Sequence, residues 1–122
     1  MKTKHTLFIE DFLVAAGRRP MLGRFWKRNT GRARMMKKPE KIISYGFKGS
    51  ADIEGLLNDG HGKHVEIEIK IGKDDQRPRQ INFEAMIKQY NGVYILVRVV
   101  DWANKDQIIA ETLSALGDMC KQ

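Results

Sequence analysis

The residues with the greatest chemical potential lie in one short run, Val65-Glu66-Ile67-Glu68-Ile69-Lys70, with Asp52 upstream and Gln80 downstream. Apolar and charged residues alternate strictly here. Successive strand side chains point to opposite faces, so Val65, Ile67, Ile69 and Ile71 share a core face while Glu66, Glu68 and Lys70 share the other. The pattern predicts a half-buried β-strand. Carboxylates beside an ammonium on one strand face suit a hard divalent cation and a water activated next to it.

The surrounding chain is basic. Its 122 residues carry a formal net charge of +7, with an isoelectric point near 9.7. That balance favours a polyanionic partner and says nothing about fold. Carboxylates grouped on one face of such a protein would repel phosphate, and a cation held between them is the economical resolution. The length fits a single domain, 1–122, with one core. A lone cysteine, Cys120, excludes a disulfide framework within one chain and fits an intracellular, cytoplasmic setting. No apolar run reaches membrane-spanning length, so no membrane partner is expected. Glu10 and Asp11, close behind the basic start Met1–His5, argue against a signal peptide.

The elements that must position these residues follow from periodicity. Thr6–Ala16 predicts an amphipathic helix capped by Thr6 and ended by Gly17. Residues 18–40 form a basic arm or insertion. Arg18, Arg19, Arg24, Lys27, Arg28, Arg32, Arg34, Lys37 and Lys38 occur in it with no acidic residue before Glu40. Within the arm, Phe25-Trp26 either stacks on bases or, the favoured reading, pins the arm to the core or to another subunit. Ile42–Tyr45 predicts a first strand and Gly46–Gly49 a turn. Ala51–Leu57 and Lys63–Ile71 predict a hairpin across Asn58-Asp59-Gly60. Pro78–Tyr90 predicts a helix with Pro78 in its first turn. Val93–Val100 is β-branched enough for a strand buried on both faces, and Ala103–Leu116 closes the chain as a helix. The predicted fold is α/β: an αβββαβ core with a mixed central sheet flanked by helices, followed by one more helix.

Asp52, Glu68-Ile69-Lys70 and Gln80, in this order and spacing, resemble the PD-(D/E)XK nuclease superfamily with its restriction-endonuclease-like core. The finer resemblance is to the virus-type replication–repair nucleases, the VRR-NUC branch, in its stand-alone phage-type form. Gly46 and Gly49 match the Gly-rich turn before the Asp, and Gly92 matches the glycine ahead of the apolar strand. Ala51 departs from the pattern, standing where the superfamily name would put proline. The resemblance implies a Mg²⁺-dependent, structure-specific endonuclease in phage or bacterial replication, recombination or repair. It also implies Glu10 as the acidic residue of the first helix, a direct or water-mediated metal ligand.

Asp52 and Glu68 offer carboxylate oxygens from neighbouring strands and Ile69 its backbone carbonyl, a donor set that suits Mg²⁺, with Mn²⁺ as substitute. Lys70 is placed to position the attacking water or stabilise charge on the phosphate. Gln80 orients the nucleophile or Lys70. The arm residues from Arg18 to Arg34, with Lys73, Arg77 and Arg79, are expected to contact DNA phosphates. Glu66 is read as a salt-bridge partner of Lys63, Lys73 or an arginine, and His61 and His64 as exposed loop residues. The preferred activity is that of a dimeric Holliday-junction resolvase, with Phe25 and Trp26 or the Ile108–Leu116 helix face as candidate interfaces. The alternatives are a flap, nicking or restriction-like nuclease, or a non-catalytic basic module that binds nucleic acid.

Overall fold

The computed structural model describes residues 1–28, 31–34, 42–45 and 49–121, with backbone alone for 31–34 and 42–45. Helix α1 spans Lys4–Gly17. Strands β1 (Gly23–Lys27), β2 (Gly31–Arg34), β3 (Ile42–Tyr45), β4 (Ile53–Leu57) and β5 (His64–Ile71) follow. Helix α2 (Pro78–Gln89), strand β6 (Val93–Val99) and helix α3 (Lys105–Cys120) complete the chain. Thr3, not Thr6, caps α1: its hydroxyl accepts the Thr6 amide at 3.2 Å.

The main sheet has the order β1-β4-β5-β6, and β2 pairs separately with β3. β1/β4 and β4/β5 are antiparallel, whereas β5/β6 is parallel. The parallel pair is expected where a helix, here α2, connects two strands of one sheet. The fold is thus α/β, with a mixed four-stranded sheet flanked by helices. Helices α1 and α3 cover one face through Phe8, Ile9, Phe12, Ile109, Leu113 and Leu116, packed on Ile53, Val65, Ile67, Ile69, Val97 and Val99. α2 covers part of the other face through Phe83, packed with Ala51 and Tyr94. Ala51, where the resemblance would put proline, is a core residue.

Four further expectations change. Ile42–Tyr45, expected as the first strand of the central sheet, pairs with β2 in a separate two-stranded sheet. Val93–Val99, expected to be buried on both faces, is an edge strand of the main sheet with Leu96 exposed. The charged face of β5 is buried as well: Glu66 is fully buried, Glu68 is 3% exposed and Lys70 8%. Period-two alternation assigns faces, but whether a helix roofs the polar face depends on tertiary packing. The basic arm also contains β1, an edge strand of the main sheet. Phe25 drives this by packing edge-on to Phe12, with ring centroids 6.4 Å apart. Gly55 makes room, since a Cβ there would lie 2.4 Å from the Phe25 ring. Phe25 and the Ile109–Leu116 stripe of α3 are thus spent on the core and are not free for a dimer interface. Trp26 remains partly exposed, its indole donating to Glu54 Oε1 at 2.7 Å.

Candidate metal and phosphodiester site

The β4/β5 hairpin register builds the site. Ile53 pairs with Ile67 and Glu54 with Glu66. Continued by one residue, the same register sets Asp52 opposite Glu68. Two acidic rungs result, two residues apart along the ladder. The turn that fixes this register is held by Asp59 Oδ1, which accepts the His61 amide at 2.9 Å and the Lys63 amide at 3.3 Å.

In the first rung, Asp52 Oδ2 accepts the Ile69 amide at 2.8 Å. Gln80 joins the remaining predicted residues. Its Nε2 donates to Glu68 Oε2 at 2.9 Å, and its Oε1 accepts from Lys70 Nζ at 2.9 Å. Lys70 Nζ lies 3.5 Å from Glu68 Oε2. The same Gln80 Oε1 accepts the Arg77 amide at 2.9 Å, an N-terminal cap for α2. One side chain therefore ties the helix start to the acid–lysine pair. Gly49 makes this approach possible. It has φ +80°, and a Cβ there would sit 2.4 Å from the Arg79 carbonyl oxygen. From the other side, Arg98 on β6 donates to the carbonyls of Gly72 (3.1 Å) and Asp74 (2.5 Å), fixing the loop that leads into α2.

Burial and a second negative charge shape the electrostatics of the rung. Glu68 is pushed up to about 7, first by burial and next by the Asp52 charge, with Lys70 pulling the other way. Its Oε1 is buried and has no hydrogen-bond partner among the described residues. A buried carboxylate oxygen left unpaired near a second carboxylate fits a hard cation with oxygen ligands.

His5 is the residue that sequence reasoning missed. Its Nε2 lies 3.1 Å from Asp52 Oδ2. Its pKa is raised by that hydrogen bond against the cost of burial, with further help from Asp52, Glu68 and the Ile69 backbone. Protonated, it brings positive charge to the donor set. Glu10, the expected ligand, instead pairs with Lys2 at 2.8 Å, with 45% of its side chain exposed. Five helical residues turn the direction by about 140°. His5 shares the stripe of Phe8 and Phe12 that packs on the sheet, and Glu10 does not. That stripe was the available signal for His5.

The DNA-contact candidates divide. Arg18, Arg19, Arg24, Lys27, Lys73, Arg77 and Arg79 are exposed. Arg28 is not: its side chain is 13% exposed and its Nη2 bridges Glu54 Oε2 (2.9 Å) and Glu66 Oε2. It lies over the Phe83 ring. Arg28 is thus the arginine that pairs with Glu66. The side chains of Arg32 and Arg34, and all of Lys37, Lys38 and Gly46, lie outside the described residues. His64 opens β5 and also contacts Glu66 Oε2, whereas His61 stays exposed in the turn.

No protein-family model matches the chain, and a search of curated proteins returns no match. Among the described residues, no helix is long and apolar enough to cross a membrane.

Proposed function

We propose that the protein is a metal-dependent, structure-specific DNA endonuclease of the PD-(D/E)XK type, resembling the VRR-NUC branch and acting on branched DNA. The observation that carries the reading is the first rung: Asp52 opposite Glu68, with Gln80 clamping Glu68 and Lys70 together and one buried Glu68 oxygen left unpaired. Alternating surface charges on an ordinary strand would face water, but these are buried and mutually organised.

Asp52, Glu68 and the Ile69 carbonyl would hold Mg²⁺, with Mn²⁺ as substitute. The bound ion supplies Lewis acidity toward the phosphate and lowers the pKa of its water. Lys70, fixed by Gln80 Oε1, directs its ammonium toward the anion that enters the site. Gln80 keeps that ammonium in register with Glu68 whenever α2 is capped. Arg77 and Arg79, exposed at the α2 N-terminus, suit contacts to phosphate, where helix amides also favour negative charge. The remaining exposed basic residues track the backbone and give affinity without sequence preference.

We further propose that the protein acts as a homodimer on four-way junctions. One site cuts one strand, and a two-fold pair presents two sites in the symmetry of the junction. The test is cleavage of labelled four-way junction, flap, splayed and linear duplex DNA with Mg²⁺ or chelator, alongside light scattering. Wild type should nick the junction at symmetric positions. Lys70→Ala should lose turnover while still binding DNA. Wild-type rates from Lys70→Ala would refute the site, and a monomer cutting flaps alone would refute the junction assignment.

A further inference from the structure

The second acidic rung is not used by this chemistry, and it is built like the first. Glu54 on β4 and Glu66 on β5 are register partners. His64 precedes Glu66 by two residues and points to the same face. Ligand atoms of Glu54, His64 and Glu66 lie within 4.8 Å of one another. Glu66 is fully buried, and its Oε1 has no hydrogen-bond partner among the described residues. Such an oxygen in a protein interior lacks the pairing that buried carboxylates ordinarily find. Trp26 Nε1 donates to Glu54 Oε1 at 2.7 Å, an outer contact that orients the carboxylate as metal-site partners do.

We propose that Glu54, His64 and Glu66 form a second divalent-cation site, suited to an ion of the zinc class and separate from the Asp52–Glu68 pair. Two carboxylates and one imidazole are a donor set that such ions take, with the fourth position left for water. Two strand residues separate the rungs, roughly 7 Å along the ladder. That spacing exceeds the ~4 Å of paired-ion phosphoryl-transfer centres, so the site is not the second ion of one catalytic pair. Arg28 is the competitor. Its guanidinium bridges both carboxylates and neutralises part of their charge, and its own Nε is buried without a partner among the described residues. Cation and guanidinium contend for the same oxygens, so weakening one strengthens the other.

The test is calorimetric titration of Zn²⁺ into the full chain carrying Asp52→Asn, which disables the first rung, with Co²⁺ absorbance reporting coordination geometry. One equivalent should bind, with tetrahedral Co²⁺ bands. Adding His64→Ala should weaken binding at least about tenfold, the scale of perturbing a metal-site partner. That substitution is at a half-exposed strand end and leaves the core intact. Adding Arg28→Gln instead should tighten binding several-fold. His61→Ala should change nothing. The proposal is overturned if the Asp52→Asn protein binds no Zn²⁺ at micromolar concentration, if His64→Ala leaves the affinity unchanged, or if His61→Ala abolishes binding. Because Asp52→Asn already removes the proposed nuclease centre, none of these results depends on cleavage.

Discussion

Glu68→Gln should stabilise the protein in chelator at pH 8. The native carboxyl is raised from 4.5 to about 7, mainly by burial. Below pH 4.5 it is protonated in both folded and unfolded chains. Between 4.5 and 7 the folded form keeps a proton that the unfolded chain has released, so stability falls as pH rises through this window. Above 7 the full cost is present, about 3 kcal/mol for a shift of this size. The amide of Gln removes that cost but leaves Lys70 without its carboxylate, an ion pair with N–O distance 3.5 Å. Allowing for this loss, the net gain is about 2 kcal/mol, or roughly 8 °C in Tm for a chain of this length. His5 behaves in the same sense. Its raised pKa contributes stability that is complete below 6.5 and lost as pH rises through the folded value, so wild type declines for two reasons. The difference between variant and wild type isolates Glu68. The assay is thermal melting in EDTA from pH 4 to 8.5. The gap should be near zero at pH 4, open above 4.5 and plateau above 7. Mg²⁺ at pH 8 should raise Tm in wild type and not in the variant. A Glu68→Gln protein less stable than wild type at pH 8, or a gap that does not vary with pH, would refute the reasoning.

The remaining predictions concern the arm and the turn. Arg32→Ala with Arg34→Ala should lower the slope of log affinity against log salt by up to about one unit for each phosphate that the variant no longer neutralises, measured by fluorescence anisotropy on duplex DNA. Arg28→Ala should leave that slope unchanged and destabilise the fold, because Arg28 is committed to Glu54 and Glu66. A salt slope that responds to Arg28 alone would reverse this assignment. Gly49→Ala should cost about 2 kcal/mol or more in urea unfolding, since it combines a left-handed backbone with a Cβ driven into the Arg79 carbonyl. A change within about 0.5 kcal/mol would show that the α2 N-terminus yields easily.

Much of the fold is legible in the amino-acid sequence alone. The hairpin, helix α2 and the parallel strand β6 each carry a local signal: alternation, a turn sequence at Asn58-Asp59-Gly60, and Pro78 at a helix start. Local signals survive because backbone conformation is set over a few residues. The candidate site is legible in the same way, since alternation puts Glu68 and Lys70 on one face, and the apolar pattern of the hairpin fixes the register that sets Asp52 beside them. Gln80 at the third helical position needs only the helix start.

Tertiary structure decided the rest. Alternation says that Glu66 and Glu68 share a face, but not that α2 buries it. Burial is what raises the Glu68 carboxyl and, among the described residues, leaves an oxygen of each glutamate unpaired. Positive charge in the arm reads alike at every arginine. Yet Phe25, by choosing the core, draws β1 onto the sheet edge and carries Arg28 onto two carboxylates while Arg24 and Lys27 stay exposed. The first helix offered two polar candidates five residues apart. Which one meets Asp52 was set by the rotation that buries Phe8 and Phe12, so His5 reaches the site and Glu10 faces Lys2. In each case the deciding quantity is a packing contact between residues far apart in the chain, and no local pattern encodes it.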